Sequence, residues 1–174
     1  MNIFITGGCK NGKTSFAQDL AVKLSGDKPR YYIATMVPAD DEDRKRIENH
    51  IRDREGQNFI TEEIPCDIAK AASLPGTLLI DSVTALLANE MFGAKKPERA
   101  LEGIREVLKN AENAIFISDF IFSDAAEYDK YTVKYIRTLA EIGNFLAKEC
   151  DIVIELCATN KIIHKGGEKL EEIL

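Results

Sequence analysis

The residues best suited to chemistry lie near the start of the sequence, where Gly7-Gly8-Cys9-Lys10-Asn11-Gly12-Lys13-Thr14 follows the apolar run Ile3-Phe4-Ile5. Their spacing matches the phosphate-binding pattern of a glycine, four residues, then glycine, lysine and serine or threonine. Glycines lack the Cβ atoms that would keep the backbone from wrapping a phosphate, and backbone N–H groups would face the anion. Lys13 would reach the β- and γ-phosphates, and the Thr14 hydroxyl would ligate Mg²⁺. The pattern predicts a nucleoside triphosphate site.

A carboxylate suited to the same chemistry ends the apolar run Thr77-Leu78-Leu79-Ile80-Asp81. In sheets that bind nucleotides, an aspartate at the end of a strand can orient the magnesium ion. A second interpretation is that Asp81 caps a helix beginning at Ser82. The phosphate-binding pattern elsewhere in the chain favours the metal-linked interpretation.

The third chemical feature is a histidine among arginines. On a helix, Arg46 and Arg54 would lie one turn to either side of His50 on the same face. Neighbouring cations disfavour the protonated form of a histidine, which suits a neutral nucleophile beside phosphates that the arginines hold. The spacing alone slightly favours a solvated charged helix with an incidental histidine. Both interpretations stay open on this evidence.

The elements that would position these residues alternate between short apolar runs and longer amphipathic stretches, as in an α/β protein. The predicted strands are 2–6, 30–34, 58–63, 77–81, 113–118 and 151–156, of which 58–63 is the weakest. The predicted helices are 14–25, 39–53, 67–73, 82–92, 97–111 and 129–149. The last carries a core-facing stripe of Tyr135, Leu139, Ile142 and Leu146. After Asn160 we predict an edge strand and a short charged helix.

These elements predict a P-loop NTPase (RecA-like) fold, a three-layer α/β sandwich with a largely parallel central sheet, in a single domain over residues 1–174. The net charge of −6 argues against a nucleic-acid partner. No apolar run reaches transmembrane length and the start lacks the basic residues of a signal peptide, so we expect a cytoplasmic protein with no membrane span. Four cysteines without a Cys-x-x-Cys pair argue against structural zinc.

Several of these motifs occur together in one order. They are Ile5-Thr6-Gly7-Gly8 through Thr14-Ser15, Tyr32-Ile33-Ala34-Thr35, Asp41-Glu42 with Arg46-Ile47, His50-x-x-x-Arg54, Glu62-Glu63-Ile64-Pro65, and Leu79-Ile80-Asp81-Ser82-Val83-Thr84 through Asn89. This order resembles the bifunctional adenosylcobinamide kinase/adenosylcobinamide-phosphate guanylyltransferases of cobalamin biosynthesis. The resemblance is strong over residues 1–90 and looser over 132–153.

The resemblance implies two reactions. A nucleoside triphosphate, ATP or GTP, phosphorylates the hydroxyl of the aminopropanol arm of adenosylcobinamide. GTP then guanylylates a histidine with release of pyrophosphate, and the GMP passes to adenosylcobinamide phosphate to give adenosylcobinamide-GDP. It implies that the guanylylated histidine is His50, with Lys13 as a second catalytic residue, and that Thr14 and Asp81 hold Mg²⁺. The implied nucleotide contacts are Gly7, Gly8, Cys9, Lys10, Asn11, Gly12, Lys13, Thr14, Ser15, Ala34, Thr35, Met36, Ile51, Arg52, Asp53, Arg54, Glu62 and Asp81.

The resemblance also implies a corrinoid substrate and a homo-oligomer, expected to be a trimer. Three segments differ from the family pattern, and we expect these differences to bear on the corrinoid-side contacts. Glu55 replaces a proline, Ser118-Asp119-Phe120-Ile121-Phe122 replaces an Asn-Glu-Val-Gly segment, and Leu156-Cys157-Ala158 replaces a Gly-Leu-Pro turn. Two other functions therefore stay open: a P-loop kinase of another small alcohol, and a nucleotide-binding regulatory module with little turnover.

Overall fold

Within residues 1–38, 40–123, 126–158 and 160–174, which the computed structural model describes, seven strands form one sheet. The side chains of residues 43, 46, 49, 50 and 53 also lie outside the described part. The strands are β1 (Asn2–Gly7), β2 (Arg30–Ala34), β3 (Phe59–Glu63), β4 (Thr77–Asp81), β5 (Asn113–Asp119), β6 (Ile152–Cys157) and β7 (Asn160–Lys165). Their order across the sheet is β3-β2-β4-β5-β1-β6-β7. The first six strands are parallel, and β7 is the edge strand that was predicted after Asn160, antiparallel to β6.

The described helices follow the predicted ones closely. They are α1 (Lys13–Ser25), α2 (Asp41–Asp53), α3 (Val83–Ala88), α4 (Glu98–Asn110), α5 (Lys130–Glu149) and α6 (Gly167–Glu171). The predicted start of α2 at residue 39 lies outside the described residues. Asp129 caps α5, because its carboxylate accepts from the backbone N–H groups of Tyr131 and Thr132. None of the described helices combines the length and the apolar character needed to cross a membrane.

Two predicted helices differ in type from the observed elements. The segment Ile68–Ser73 is a 3₁₀ helix, in which a backbone N–H donates to the carbonyl three residues earlier, as Lys70 does to Asp67. A segment of only six residues is typical of this winding. The predicted helix over 82–92 is α3 followed by a π turn, Asn89–Gly93. In that turn the Asn89 amide donates to the carbonyls of Thr35 and Pro65, and the Glu90 carboxylate accepts from the Asp67 N–H. Bonds to backbone outside the helix accompany the change of winding.

Alternation along the central strands produces two cores, one on each face of the sheet. Residues such as Phe4, Leu78 and Phe116 face α3, α4 and α5, and the neighbouring Ile3, Leu79 and Ile115 face α1. Both sets are buried, which explains why these strands read as continuous apolar runs. The predicted stripe on α5 belongs to the first core, with Leu139, Ile142 and Leu146 fully buried and Tyr135 at its margin. The predicted three-layer α/β sandwich is confirmed.

The carboxyl ends of the parallel strands meet at one edge of the sheet. Gly7 pairs in register with Asp119, and Asp81 pairs with Ala34 on one side and Ile117 on the other. In open parallel sheets ligands bind at this edge. The phosphate-binding pattern after β1 and the carboxylate that ends β4 are therefore brought together, although β5 lies between their strands.

Candidate nucleotide-binding site

The loop between β1 and α1 has the backbone that its glycines predict. Gly12 adopts φ +86°, a left-handed conformation that residues with a side chain rarely take, and α1 begins at the next residue. At Gly7 (φ +150°) an added Cβ would collide with the carbonyl of Leu156 in β6. Asn11 closes the loop against the same strand by donating its amide to the Leu156 carbonyl. The loop is thus fixed on β6 as well as on its own strand.

Lys13, the lysine of the pattern, is only 6% exposed. Its Nζ donates to the Gly8 carbonyl at 2.6 Å and forms an ion pair with Asp119 at 2.8 Å. Asp119 was not among the residues that the sequence singled out. Its signal was present, because an apolar strand ending in aspartate is the same feature that identified Asp81. What sequence could not supply was the position of β5 beside β1.

Asp81 receives two hydroxyl groups on one carboxylate oxygen. Thr14 Oγ1 donates to Asp81 Oδ2 at 2.9 Å, and Tyr32 Oη donates to the same atom at 2.8 Å. The alternative in which Asp81 caps α3 is not what the structure shows, since Ser82 is the N-cap and its hydroxyl accepts from the Ala85 N–H. The Asp81 carboxylate therefore faces the loop.

The pair of Thr14 and Asp81 suits a magnesium ion. Mg²⁺ prefers oxygen ligands and is usually held by one or two protein groups together with substrate phosphates and water. Among the described residues no group of three histidine, cysteine or acidic side chains could hold a metal ion unaided. The Thr14 hydroxyl at the start of α1 and the Asp81 carboxylate at the end of β4 lie 2.9 Å apart. This pair fits an ion that arrives with the nucleotide.

Arg54 is a buried cation on the other side of Tyr32. It is 8% exposed, its guanidinium carbon lies 4.0 Å from the centre of the Tyr32 ring, and Nη2 donates to Thr61 Oγ1 at 3.0 Å. Burial lowers the pKa of Arg54, while the Tyr32 and Asp81 groups act in the opposite direction. Arginine side chains stay charged in proteins, so a positive charge is fixed close to the loop.

These groups line one cavity of about 1050 Å³. The predicted nucleotide residues that line it are Lys10, Asn11, Gly12, Lys13, Thr14, Ser15, Ala34, Met36, Ile51, Arg54 and Asp81. The side chains of Arg46, His50 and Asp53 lie outside the described residues. Lining residues that the sequence had not proposed as contacts include Tyr32, Thr61, Glu63, Thr84, Asp119 and Tyr135.

The remaining predicted contacts, Gly7, Gly8, Cys9, Thr35, Arg52 and Glu62, are not among the lining residues. Thr35 is fully buried and joins the ends of β2 and β4, where its hydroxyl donates to the Ser82 carbonyl and accepts from the Ser82 N–H. Along β3 the side chains alternate between the two faces, so Thr61 and Glu63 share the cavity side and Glu62 faces away. Cys9 is an exposed residue of the loop.

The wall opposite Arg54 is formed by α3, β5 and α5. The Tyr135 hydroxyl donates to the Thr84 carbonyl at 2.9 Å, and the Thr84 hydroxyl accepts from the Asp119 N–H at 2.8 Å. Burial, with the nearby Asp119 charge, raises the pKa of Tyr135 to about 12. Its phenol is therefore protonated at neutral pH. Beyond Tyr135 the wall becomes aromatic, with the Phe92 ring 5.8 Å away.

The fold and the loop place this chain in a structural class, the P-loop nucleoside triphosphatases. It is similar to the flagellar accessory protein FlaH of Methanocaldococcus jannaschii (TM-score 0.52, 14% identity, covering 94% of this chain and 77% of that one). It is also similar to a KaiC-like protein of Pyrococcus horikoshii OT3 (TM-score 0.52, 16% identity, covering 96% of this chain and 79% of that one). A third similar structure is an ATPase of the type III secretion system of pathogenic bacteria (TM-score 0.54, 13% identity, covering 98% of this chain and 52% of that one). Identities this low show the shared fold alone.

The family is given by a comparison of sequence. The family model described as cobinamide kinase / cobinamide phosphate guanyltransferase matches residues 3–162. The chain belongs to this family, so it is a transferase of cobalamin biosynthesis. No curated protein matches the chain. The resemblance noted over residues 1–90 thus extends over nearly the whole sequence.

Proposed function

We propose that this chain performs both reactions of its family in the cavity described above, with Mg²⁺ at Thr14 and Asp81 and with His50 as the guanylylated residue. In the first reaction a triphosphate phosphorylates the hydroxyl of adenosylcobinamide. In the second, GTP guanylylates His50 and the GMP passes to adenosylcobinamide phosphate. Both reactions need one triphosphate site that is open to two different attacking groups.

The observation that carries the proposal is the composition of the cavity. The phosphate loop lines one part of it, and α2 lines another through residues such as Ile47 and Ile51, followed by Arg54. Positions three and four residues apart share a face of a helix, so position 50 of α2 shares a face with position 47, which lines the cavity. A nucleotide whose γ-phosphate lies at Lys13 would extend its remaining atoms through the cavity that α2 borders.

In the kinase step the residues of this chain bind and orient the triphosphate. Lys13 would move from its internal partners to the γ-phosphate, and the loop N–H groups would hold the β-phosphate. Mg²⁺ held by Thr14 and Asp81 would neutralise phosphate charge when bound. Arg54, fixed by Tyr32 and Thr61, would stabilise negative charge on the cavity side of the phosphates.

In the guanylyl step a neutral imidazole nitrogen of His50 attacks the α-phosphorus of GTP. A phosphorus–nitrogen bond forms, and the bond from the α-phosphorus to the α,β-bridging oxygen breaks, so that pyrophosphate leaves with the electron pair. A phosphate oxygen of adenosylcobinamide phosphate then displaces the imidazole and forms the diphosphate bond. Covalent catalysis of this kind divides a difficult transfer between two anions into two displacements.

The test is incubation of the protein with α-labelled GTP followed by denaturing electrophoresis. We expect acid-labile label on the wild type and none on His50→Ala. The matched control is His164→Ala, since His164 lies on β7, where its Nε2 is 2.9 Å from Glu155. GTP that binds without transferring label would exclude the guanylyl step. The kinase step would then be tested separately by transfer of γ-label to cobinamide.

We further propose a homo-oligomer, a trimer as the family resemblance suggested, that completes the corrinoid site. Exposed aromatic side chains lie beside the cavity, where Phe120 follows Asp119 and Phe92 contacts Tyr135. A corrinoid is larger than the cavity, so part of it would lie on this aromatic surface and against a neighbouring subunit. Light scattering of the active protein tests the proposal, and a fully active monomer would contradict it.

A further inference from the structure

We propose that Asp119 is the general base of the phosphoryl transfer, the group that accepts the proton of the acceptor hydroxyl. This inference rests on the proposed function, because it concerns the kinase step at that site. It assigns a reacting residue to the segment 118–122, in which the chain differs from the family pattern.

The position of Asp119 in the sheet is the first argument. It ends β5, the strand between the strand of the phosphate loop and the strand of Asp81. Its backbone pairs in register with Gly7, while Asp81 pairs with Ile117, two residues earlier on β5. The carboxylate is therefore flanked by the loop on one side and by the proposed metal ligand on the other.

Distance and exposure supply the second argument. Asp119 Oδ1 lies 2.8 Å from Lys13 Nζ, and its side chain is 26% exposed and lines the cavity. Lys13 is the residue that would bind the γ-phosphate, so a carboxylate in contact with it lies close to where the attacking oxygen must be. A general base must come within about 2.6–3.2 Å of the proton-bearing atom. Because Asp119 lines the cavity beside Lys13, its carboxylate can come within this distance of an acceptor hydroxyl in the cavity.

Asp81 and Tyr135, two other ionisable groups that line the cavity near Asp119, are less suited to act as the general base. Asp81, the nearest strand-end carboxylate, already accepts two hydroxyl groups and fits a metal ligand. Tyr135 is protonated at neutral pH, as an ordinary tyrosine is, and burial raises its pKa further, to about 12, so it is not available as a base. Thr84 accepts a hydrogen bond from the Asp119 N–H and so holds the backbone from which the carboxylate projects.

The proposed step balances as follows. The acceptor oxygen forms a bond to the γ-phosphorus, and the bond from that phosphorus to the β,γ-bridging oxygen breaks, so that the nucleoside diphosphate leaves with the electron pair. The hydroxyl proton moves to the Asp119 carboxylate and is later released to water. Lys13 exchanges Asp119 for the γ-phosphate, which frees the carboxylate oxygen for the proton.

The experiment compares Asp119→Asn with wild type in three measurements: triphosphate affinity, label transfer from α-labelled GTP, and the rate of γ-phosphoryl transfer to cobinamide. We expect kcat of phosphoryl transfer to fall by about 10²-fold or more. Triphosphate affinity should stay equal or become tighter, since a negative charge beside the γ-phosphate is removed. Label transfer from α-labelled GTP should stay within about threefold of wild type, because general-base loss acts on the other step alone.

The matched control is Asp27→Asn, which removes one aspartate charge at an exposed turn outside the cavity and should change none of the three quantities. Asp119→Glu is the second variant, since it keeps the charge beside Lys13 and displaces the carboxylate by one methylene. It should bind triphosphate normally and phosphorylate at least about tenfold more slowly.

The outcomes separate this inference from the proposed function. If the wild type phosphorylates cobinamide and either Asp119→Asn or Asp119→Glu does so at the same rate, the general-base assignment is overturned. The proposed function would still stand. Parallel losses of triphosphate affinity and of both transfers would show that Asp119 only positions Lys13, and would also overturn it. A wild type that binds triphosphate but never phosphorylates cobinamide overturns the kinase half of the proposed function together with the inference.

Discussion

Two regions of the cavity are built in contrasting ways. At the strand ends, an ion pair joins Lys13 to Asp119, and a hydrogen bond joins Thr14 to Asp81. All four groups are buried or half-buried. Along α2, five acidic and four basic residues occur among thirteen, and every described side chain is exposed except Ile47, which is half-buried. In the first region the charged groups pair with one another, whereas the second presents its charges to solvent.

Arg54 joins the two regions. It lies one residue beyond α2, yet it is buried and stacked on Tyr32, whose hydroxyl bonds to Asp81. A path of contacts therefore leads from the phosphate loop to the end of α2. The difference teaches that the side chains at the strand ends are held by one another, while α2 is an exposed helix anchored near its carboxyl end.

The largest expected effect comes from removing the cation of the fixed region. Lys13→Ala should lower kcat/KM of both transfers by about 10²- to 10³-fold, because it removes charge stabilisation and leaves Asp119 to repel the phosphates. Steady-state rates and triphosphate titration measure it. Lys23→Ala is the control, an exposed lysine of the same helix. Full activity of Lys13→Ala would exclude the phosphate-loop assignment.

The next effect concerns Asp81, the proposed metal ligand. In Asp81→Asn the amide oxygen can still accept from Thr14 and Tyr32, so the fold should be preserved, but the charge that attracts Mg²⁺ is lost. We expect a fall of about 10²-fold in kcat/KM at fixed Mg²⁺, with partial recovery at higher Mg²⁺. A magnesium titration measures it, with the exposed Asp19→Asn as control. An unchanged magnesium dependence would contradict the assignment.

The link between the regions can be broken at Arg54. Arg54→Ala should lower the free energy of unfolding by about 2 kcal/mol, because the stacking on Tyr32 and the bond to Thr61 are both lost from a buried position. Urea denaturation measures this change. The free energy of unfolding of Arg54→Lys should lie between those of the wild type and Arg54→Ala, since lysine keeps the charge but lacks the flat guanidinium that stacks on Tyr32. A change near zero would show that α2 is not anchored there.

The smallest effect is expected on α2 itself. Arg44 is 66% exposed and its partner Asp41 is 96% exposed, with 3.7 Å between Nε and Oδ1. Ion pairs between groups this exposed contribute about 0–1 kcal/mol. Arg44→Ala should therefore change the free energy of unfolding by about 0.5 kcal/mol or less in the same denaturation experiment. A loss as large as that of Arg54→Ala would remove the distinction between the regions.

Much of the fold could be predicted because local patterns determine it. Strands such as β1 and β4 are buried on both faces, so each reads as an unbroken apolar run. The loop was recognisable because Gly12 needs φ +86° and only glycine adopts it readily. Thr14 and Asp81 were predicted separately as magnesium ligands, and the structure brings their side chains to 2.9 Å, while magnesium binding itself stays a prediction.

The rest depended on contacts between distant residues. The order of the strands places β5 beside β1, and only this order brings Asp119 to Lys13. Arg52 and Arg54 look alike in the sequence, yet Arg54 alone of the two is buried, because Tyr32 and Thr61 come from strands that sequence does not pair. The π turn likewise depends on distant residues, because Asn89 and Glu90 bond to backbone groups outside the helix.

The ion pair between Lys13 and Asp119 also bears on which anions the loop accepts. The lysine already has a carboxylate held beside it at 2.8 Å, so an incoming anion must compete with an internal ligand of high effective concentration. Inorganic phosphate or sulfate would gain only a few contacts in exchange, whereas a triphosphate bound as proposed would also contact the loop N–H groups, the proposed metal ligands and Arg54. On the proposed function, the ion pair would therefore favour polyphosphates over small anions, because only a polyphosphate offers enough contacts to replace Asp119.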